Sequence, residues 1–80
     1  MSADAIRAEV IRMVRHAPFR PFVLSMQKGD RVTIGHPENI AFEPEGESFD
    51  LYVISGGVRL FGTFDAVASV AMSESVEHLA

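Results

Sequence analysis

Pro18-Phe19-Arg20-Pro21-Phe22 divides this chain into a helix-patterned beginning and a strand-patterned remainder. Neither proline can donate a backbone hydrogen bond, and each biases the residue before it, Ala17 or Arg20, towards extended geometry. A helix arriving from the N-terminal side must stop here. Phe19 and Phe22 can then anchor its exit to whatever core follows.

Before the break, Ser2 or Asp4 can cap a helix over about residues 3–17. Ile6, Val10, Met13, Val14 and Ala17 recur at helical spacing, while Arg7, Arg12, Arg15 and His16 fall mostly on the opposite side. Arg15 and His16 also suit the negative end of the helix dipole.

After the break the period becomes two. Phe22, Leu24 and Met26 alternate with Val23, Ser25 and Gln27, as in a strand with one buried face. Lys28-Gly29-Asp30 makes a tight turn, and Val32 and Ile34 resume the alternation. Gly35-His36-Pro37-Glu38-Asn39 bends the chain before the short apolar piece Ile40-Ala41-Phe42. An acidic turn over 43–48 leads to a strand over 49–55, and Gly56-Gly57 signals a hairpin into a strand over 58–64. Asp65 is placed to cap a short helical turn, and a last strand is expected over 69–72. A tail follows over 73–80.

The expectation is a single α+β domain: an N-terminal helix followed, over about 21–72, by a five-stranded antiparallel barrel of Sm-like or SH3-like type. Such small barrels manage their edges by closing or by pairing them between subunits.

Composition narrows the function. With 80 residues, 48 % of them hydrophobic and 9 % aromatic, the chain is too apolar for disorder. A lone domain of this size buries only about 60 % of its unfolded surface, so self-association would add useful burial. No apolar run approaches the roughly 20 residues a membrane helix needs. The N-terminal segment lacks a signal-peptide pattern, and the absence of cysteine excludes disulfide and thiolate chemistry. The expectation is a cytoplasmic protein. The net charge of −4 is uneven. Residues 1–34 carry six cations against three carboxylates, and residues 35–80 carry Arg59 alone against eight. Only the helix side offers phosphate a basic footprint.

Two resemblances bear on this pattern. Pro18-Phe19-Arg20-Pro21-Phe22, Lys28-Gly29-Asp30-Arg31 and His36-Pro37-Glu38-Asn39-Ile40 resemble a family of short bacterial proteins. That family shares a Pro-Phe-x-Pro-Phe, an Asp-Gly-Arg-type turn and a His-Pro-Glu-x-Ile segment. It implies no activity, and this chain has Gly29-Asp30 where the family has Asp-Gly. More distantly, residues 47–54 are similar to the third strand of bacterial Sm-like RNA chaperones, which fold as a helix and five bent strands and assemble into rings. Residues 66–70 fall where their last helical turn and strand would lie. The departures are specific. Thr63, Phe64 and Asp65 stand in place of the uridine-binding Tyr-Lys-His, and Leu51 in place of a base-contacting Gln. Only Tyr52 keeps an aromatic platform. Roughly ten residues are inserted around 36–46, and the basic rim is missing.

No constellation points to catalysis, a metal or a cofactor. His36 and Glu38 form a His-x-Glu pair without a third ligand near in sequence. The segment reads instead as a Pro-stabilised turn in which the His36 ring bonds backbone and Glu38 or Asn39 satisfies N–H groups. The serines lack nucleophile context. Asp50 reads as an exposed strand residue, and Gly56-Gly57 lacks the helix a phosphate loop needs. Phe22, Phe42 and Phe49 read as core. Tyr52, Ile54, Arg59 and Phe61 lie on the opposite register, which reads as an interface, a second core layer under the helix, or a platform for a ligand or base. The expected function is a non-catalytic binding or assembly module that forms a homo-oligomer by edge-strand pairing, with Tyr52, Ile54, Arg59 and Phe61 in the contact. One alternative is an RNA-binding protein using Arg7, Arg12, Arg15 and Tyr52. Another is a small regulatory partner that docks its acidic 43–50 segment on a basic protein.

Overall fold

The computed structural model describes residues 2–72. Its helix, α1 (Ala3–Arg15), starts where Ser2 Oγ accepts the Ala5 N–H at 3.1 Å, and Asp4 sits in the first turn. It ends at His16, whose backbone is extended, so Ala17 lies beyond the helix and is exposed. The His16 ring Nδ1–H donates to the Pro18 carbonyl at 2.9 Å and fastens the break to the helix end. Phe19 then meets Phe22 edge to face, with centroids 6.1 Å apart. Phe22 itself is fully buried.

Six strands follow: β1 (Phe22–Met26), β2 (Arg31–Ile34), β3 (Ile40–Phe42), β4 (Asp50–Ser55), β5 (Val58–Thr63) and β6 (Val67–Met72). They form two antiparallel three-stranded sheets, ordered β2-β1-β6 and β3-β4-β5. The α+β class and the N-terminal helix are as expected, but in place of five barrel strands there are six strands in two sheets. Among the described residues no ladder closes them into a barrel. The cause lies in the Gly35–Asn39 segment, where a short 3-10 turn (Pro37–Asn39) interrupts the chain between β2 and β3 and sends the two strands to different sheets.

The turns follow their residues. Gly29 has φ +104° between β1 and β2, and Gly56 and Gly57 have φ +54° and +83° at the β4–β5 hairpin. Two successive positive φ values make a primed hairpin turn, which matches strand twist. A second 3-10 turn (Phe64–Ala66) joins β5 to β6. Asp65 lies inside it rather than capping it, because the turn begins one residue earlier at Phe64. The last strand accordingly starts at Val67, two residues before the expected Ser69, and skips Ala68 in its pairing with β1 as a bulge. The expected tail over 73–80 lies outside the described residues.

Between the sheets and the helix lies one core. The helix supplies Ile6, Val10 and Met13, β1 supplies Phe22, Leu24 and Met26, and Ile34, Ile40, Leu51, Val53, Phe64 and Val67 complete it. Burying each large side chain contributes roughly 1.5–3 kcal/mol. The helix rests on β6 and the second 3-10 turn. Two hydrogen bonds tie distant segments: Gln27 N–H to Ala66 O at 2.8 Å, and Phe64 N–H to Phe49 O at 2.9 Å. The Ser55 hydroxyl donates to the Thr33 carbonyl and links the sheets. No helix among the described residues is long and apolar enough to cross a membrane.

Candidate interaction surface

Alternation along β4 buries Leu51 and Val53 in the core and turns Asp50, Tyr52 and Ile54 outward. Ladder register fixes their neighbours. Asp50 pairs Thr63, Tyr52 pairs Phe61, Ile54 pairs Arg59, and on the other side Ala41 pairs Tyr52. Directly paired residues share a face, so these side chains form one outer surface of the β3-β4-β5 sheet.

That surface is unusually apolar. Phe61 is 74 % exposed, Ile54 46 % and Tyr52 36 %. Tyr52 and Phe61 pack edge to face, with centroids 6.2 Å apart and planes at 67°. Val58 is also exposed, but it belongs to the inner register at the hairpin tip. An open cleft of about 280 Å³ lies at one end of the face, between Ala41, Glu43, Asp50, Tyr52 and Phe61. Tyr52, Ile54, Arg59 and Phe61 are thus brought together as one surface, on the side of the sheet opposite the core residues Leu51 and Val53.

The helix cations are placed otherwise. Arg7 is only 8 % exposed. Its Nη1 donates to the Ser48 carbonyl at 2.9 Å, its guanidinium lies 4.5 Å from the Phe49 ring centroid, and Nη2 is 3.6 Å from Asp4. It does not stand on the exposed face where the sequence puts it. Arg12 binds Glu9 through two hydrogen bonds of 2.6 and 3.3 Å. The pair holds the Glu9 carboxyl below its ordinary pKa and raises that of Arg12, chiefly through those hydrogen bonds. Arg15 is exposed and borders a small apolar depression formed with Ile11, Val14, Phe42 and Pro44. Tyr52 sits on the β3-β4-β5 sheet beside Phe61, and its arginine neighbour on that face is Arg59 rather than the helix arginines.

Sequence reasoning misses two residues. Arg7 is one, although at about 100° per residue it lies within about 20° of Val14, at the edge of the apolar stripe. Phe64 is the other: it is fully buried, 5.4 Å from Phe42 in an edge-to-face pair. A sequence signal for it lies in the alternation of the preceding strand, where Phe64 continues the inward register of Leu60 and Gly62. Phe42 and Phe49, read as core, are half-buried against the core cluster.

At His36 the turn is held by backbone and Asn39. Asn39 Oδ1 accepts the His36 N–H at 3.0 Å, and the Asn39 N–H returns to the His36 carbonyl at 3.0 Å. Among the described residues, no three His, Asp or Glu side chains come together as a metal-ligand group. Compared with known proteins, the chain matches no family model, no curated protein and no solved structure.

Proposed function

We propose that this chain is a non-catalytic assembly module that self-associates through the outer face and free edge of the β4–β5 hairpin, with Tyr52, Ile54, Arg59 and Phe61 in the contact. The observation that carries the reading is the exposure of Phe61 beside Tyr52 and Ile54. Three large apolar side chains on one strand pair are costly to leave in water and mark interaction surfaces in small domains. Among the described residues β5 is also the outermost strand of its sheet, so its outer backbone groups face another strand's approach.

The architecture supports the same reading. With β2 and β3 taken as one strand bent at the Pro37–Asn39 turn, the order becomes a helix and five strands, as in Sm-like and SH3-like barrels. The resemblances to the short bacterial family and to Sm-like proteins agree with that order, although fold likeness alone warrants no activity. RNA recognition is the weaker alternative, because Arg7 and Arg12 are engaged within the chain.

Light scattering on a size-exclusion column tests the proposal. The wild type should elute at a multiple of the 8.8 kDa chain mass, and Phe61→Glu or Ile54→Asp should shift it towards the monomer. A monomeric wild type, or unchanged assembly in both variants, sinks it.

A further inference from the structure

Charge is ordered along the same face. Register puts Asp50 and Thr63 at one level, Tyr52 and Phe61 at the next, and Ile54 and Arg59 at the third. Adjacent levels are two residues apart, about 6.6 Å. Glu43 joins Asp50 in lining the cleft at the acidic end. Among the described residues, Arg59, Asp50 and Glu43 form no ion pair within the chain. The face therefore runs from carboxylates through an aromatic pair to a cation.

Such an order is self-complementary under one two-fold operation. Let the axis lie in the contact plane and cross the strands over Tyr52 and Phe61. Rotation inverts position along the strands and keeps the lateral place, so the two outer faces meet with their aromatic pairs in the middle. The partner's Arg59 then arrives opposite Thr63, one strand spacing of about 4.8 Å from Asp50. That is within reach of an arginine side chain. Ile54 of each subunit covers the β4 backbone at the other's acidic end, and the Asp50 carboxylate turns towards the incoming guanidinium.

Resting on the self-association proposed above, we infer that the chain forms an isologous dimer in which the Arg59 guanidinium of each subunit enters the other's cleft between Glu43, Asp50, Tyr52 and Phe61. A planar guanidinium suits that lining, since it stacks on aromatic rings and binds carboxylates with paired donors. The contact occurs twice per dimer. It shields the apolar side chains that edge pairing alone would leave in water, and it selects the antiparallel orientation, because the parallel one sets Arg59 against Arg59. A second copy is the favoured occupant because the required cation stands on the same face at the matching distance.

Sedimentation equilibrium over a range of concentrations tests this on the wild type, Arg59→Asp, Arg59→Gln, Asp50→Arg and the double variant Arg59→Asp/Asp50→Arg. All the changed positions are exposed, and circular dichroism checks folding. A dimeric wild type is expected. Each charge reversal should weaken the dimer about tenfold or more, Arg59→Gln less, and the double variant should recover most of the loss. A wild type that associates equally well in all single variants overturns the Arg59 contact and leaves self-association standing. So does a double variant that fails to recover. A monomeric wild type overturns both readings, and uptake of an arginine-rich peptide by that monomer would identify a foreign basic segment as the occupant.

Discussion

The guanidinium of Arg7 lies over the ring of Phe49, 4.5 Å from its centroid, while its Nη1 donates to the carbonyl of Ser48 next door. This one side chain ties the helix to the loop that enters β4. Residues 43–47 of that loop are exposed, and its far end is also held by the Phe64 N–H bond to the Phe49 carbonyl. Arg7 therefore belongs to the interior of the molecule rather than to a phosphate-binding surface.

Arg7→Ala should destabilise the fold by about 2 kcal/mol, combining a lost charged hydrogen bond and a lost cation–ring contact. Arg7→Lys should recover only part of this, because an ammonium cannot stack flat on Phe49 while reaching the Ser48 carbonyl. Urea denaturation of the three proteins measures it. Equal midpoints would show that Arg7 is not a fastening.

A hairpin glycine and a strand glycine should behave oppositely. Gly57 has φ +83°, where any side chain is strained, so Gly57→Ala should cost about 1 kcal/mol. Gly62 has no positive φ, and a Cβ there would meet nothing within 4 Å. Gly62→Ala should be neutral or stabilise by about 0.5 kcal/mol, by restricting the unfolded chain. Thermal melts of both variants decide this.

These cases show which parts of the molecule the sequence makes legible. The helix, its end at the proline pair, the alternation of β1 and β4, and the Gly56-Gly57 hairpin all depend on neighbours in sequence. Local chemistry is enough to read them. The outer register of Tyr52, Ile54, Arg59 and Phe61 is legible for the same reason, since a hairpin fixes which residues pair. What fails depends on distant segments. Sheet membership turns on how far the 37–39 turn rotates the chain, and the sequence does not state that angle. Arg7 looks like a surface cation until Ser48 and Phe49, more than forty residues away, arrive beside it.

Acid should act on the helix through Glu9. Its pKa is depressed by the hydrogen bonds from Arg12, so the pair's contribution is present above the unfolded glutamate pKa of about 4.3 and is lost as pH falls through the lower folded value. Both side chains face solvent, so the effect is small and salt weakens it. Glu9→Gln should melt slightly below the wild type at neutral pH and low salt, with the two curves converging in acid. A constant gap down to the lowest pH would rule out the ion pair as its cause.

Phe61 and Phe64, three residues apart on one strand and its following turn, should divide stability from assembly. Phe64 is fully buried and packs on Phe42, so Phe64→Ala leaves a cavity in the core and should cost about 3–5 kcal/mol. Phe61 is 74 % exposed and contributes little to that core. Phe61→Ala should therefore leave the unfolding midpoint of the dissociated chain nearly unchanged while lowering the mass in solution. Its stability at high concentration should also fall, because association stabilises the folded state by mass action. The measurement is denaturation at two protein concentrations, alongside the mass. If Phe61→Ala costs as much as Phe64→Ala at low concentration, the ring serves the fold. The outer face would then lose its claim to be an interface.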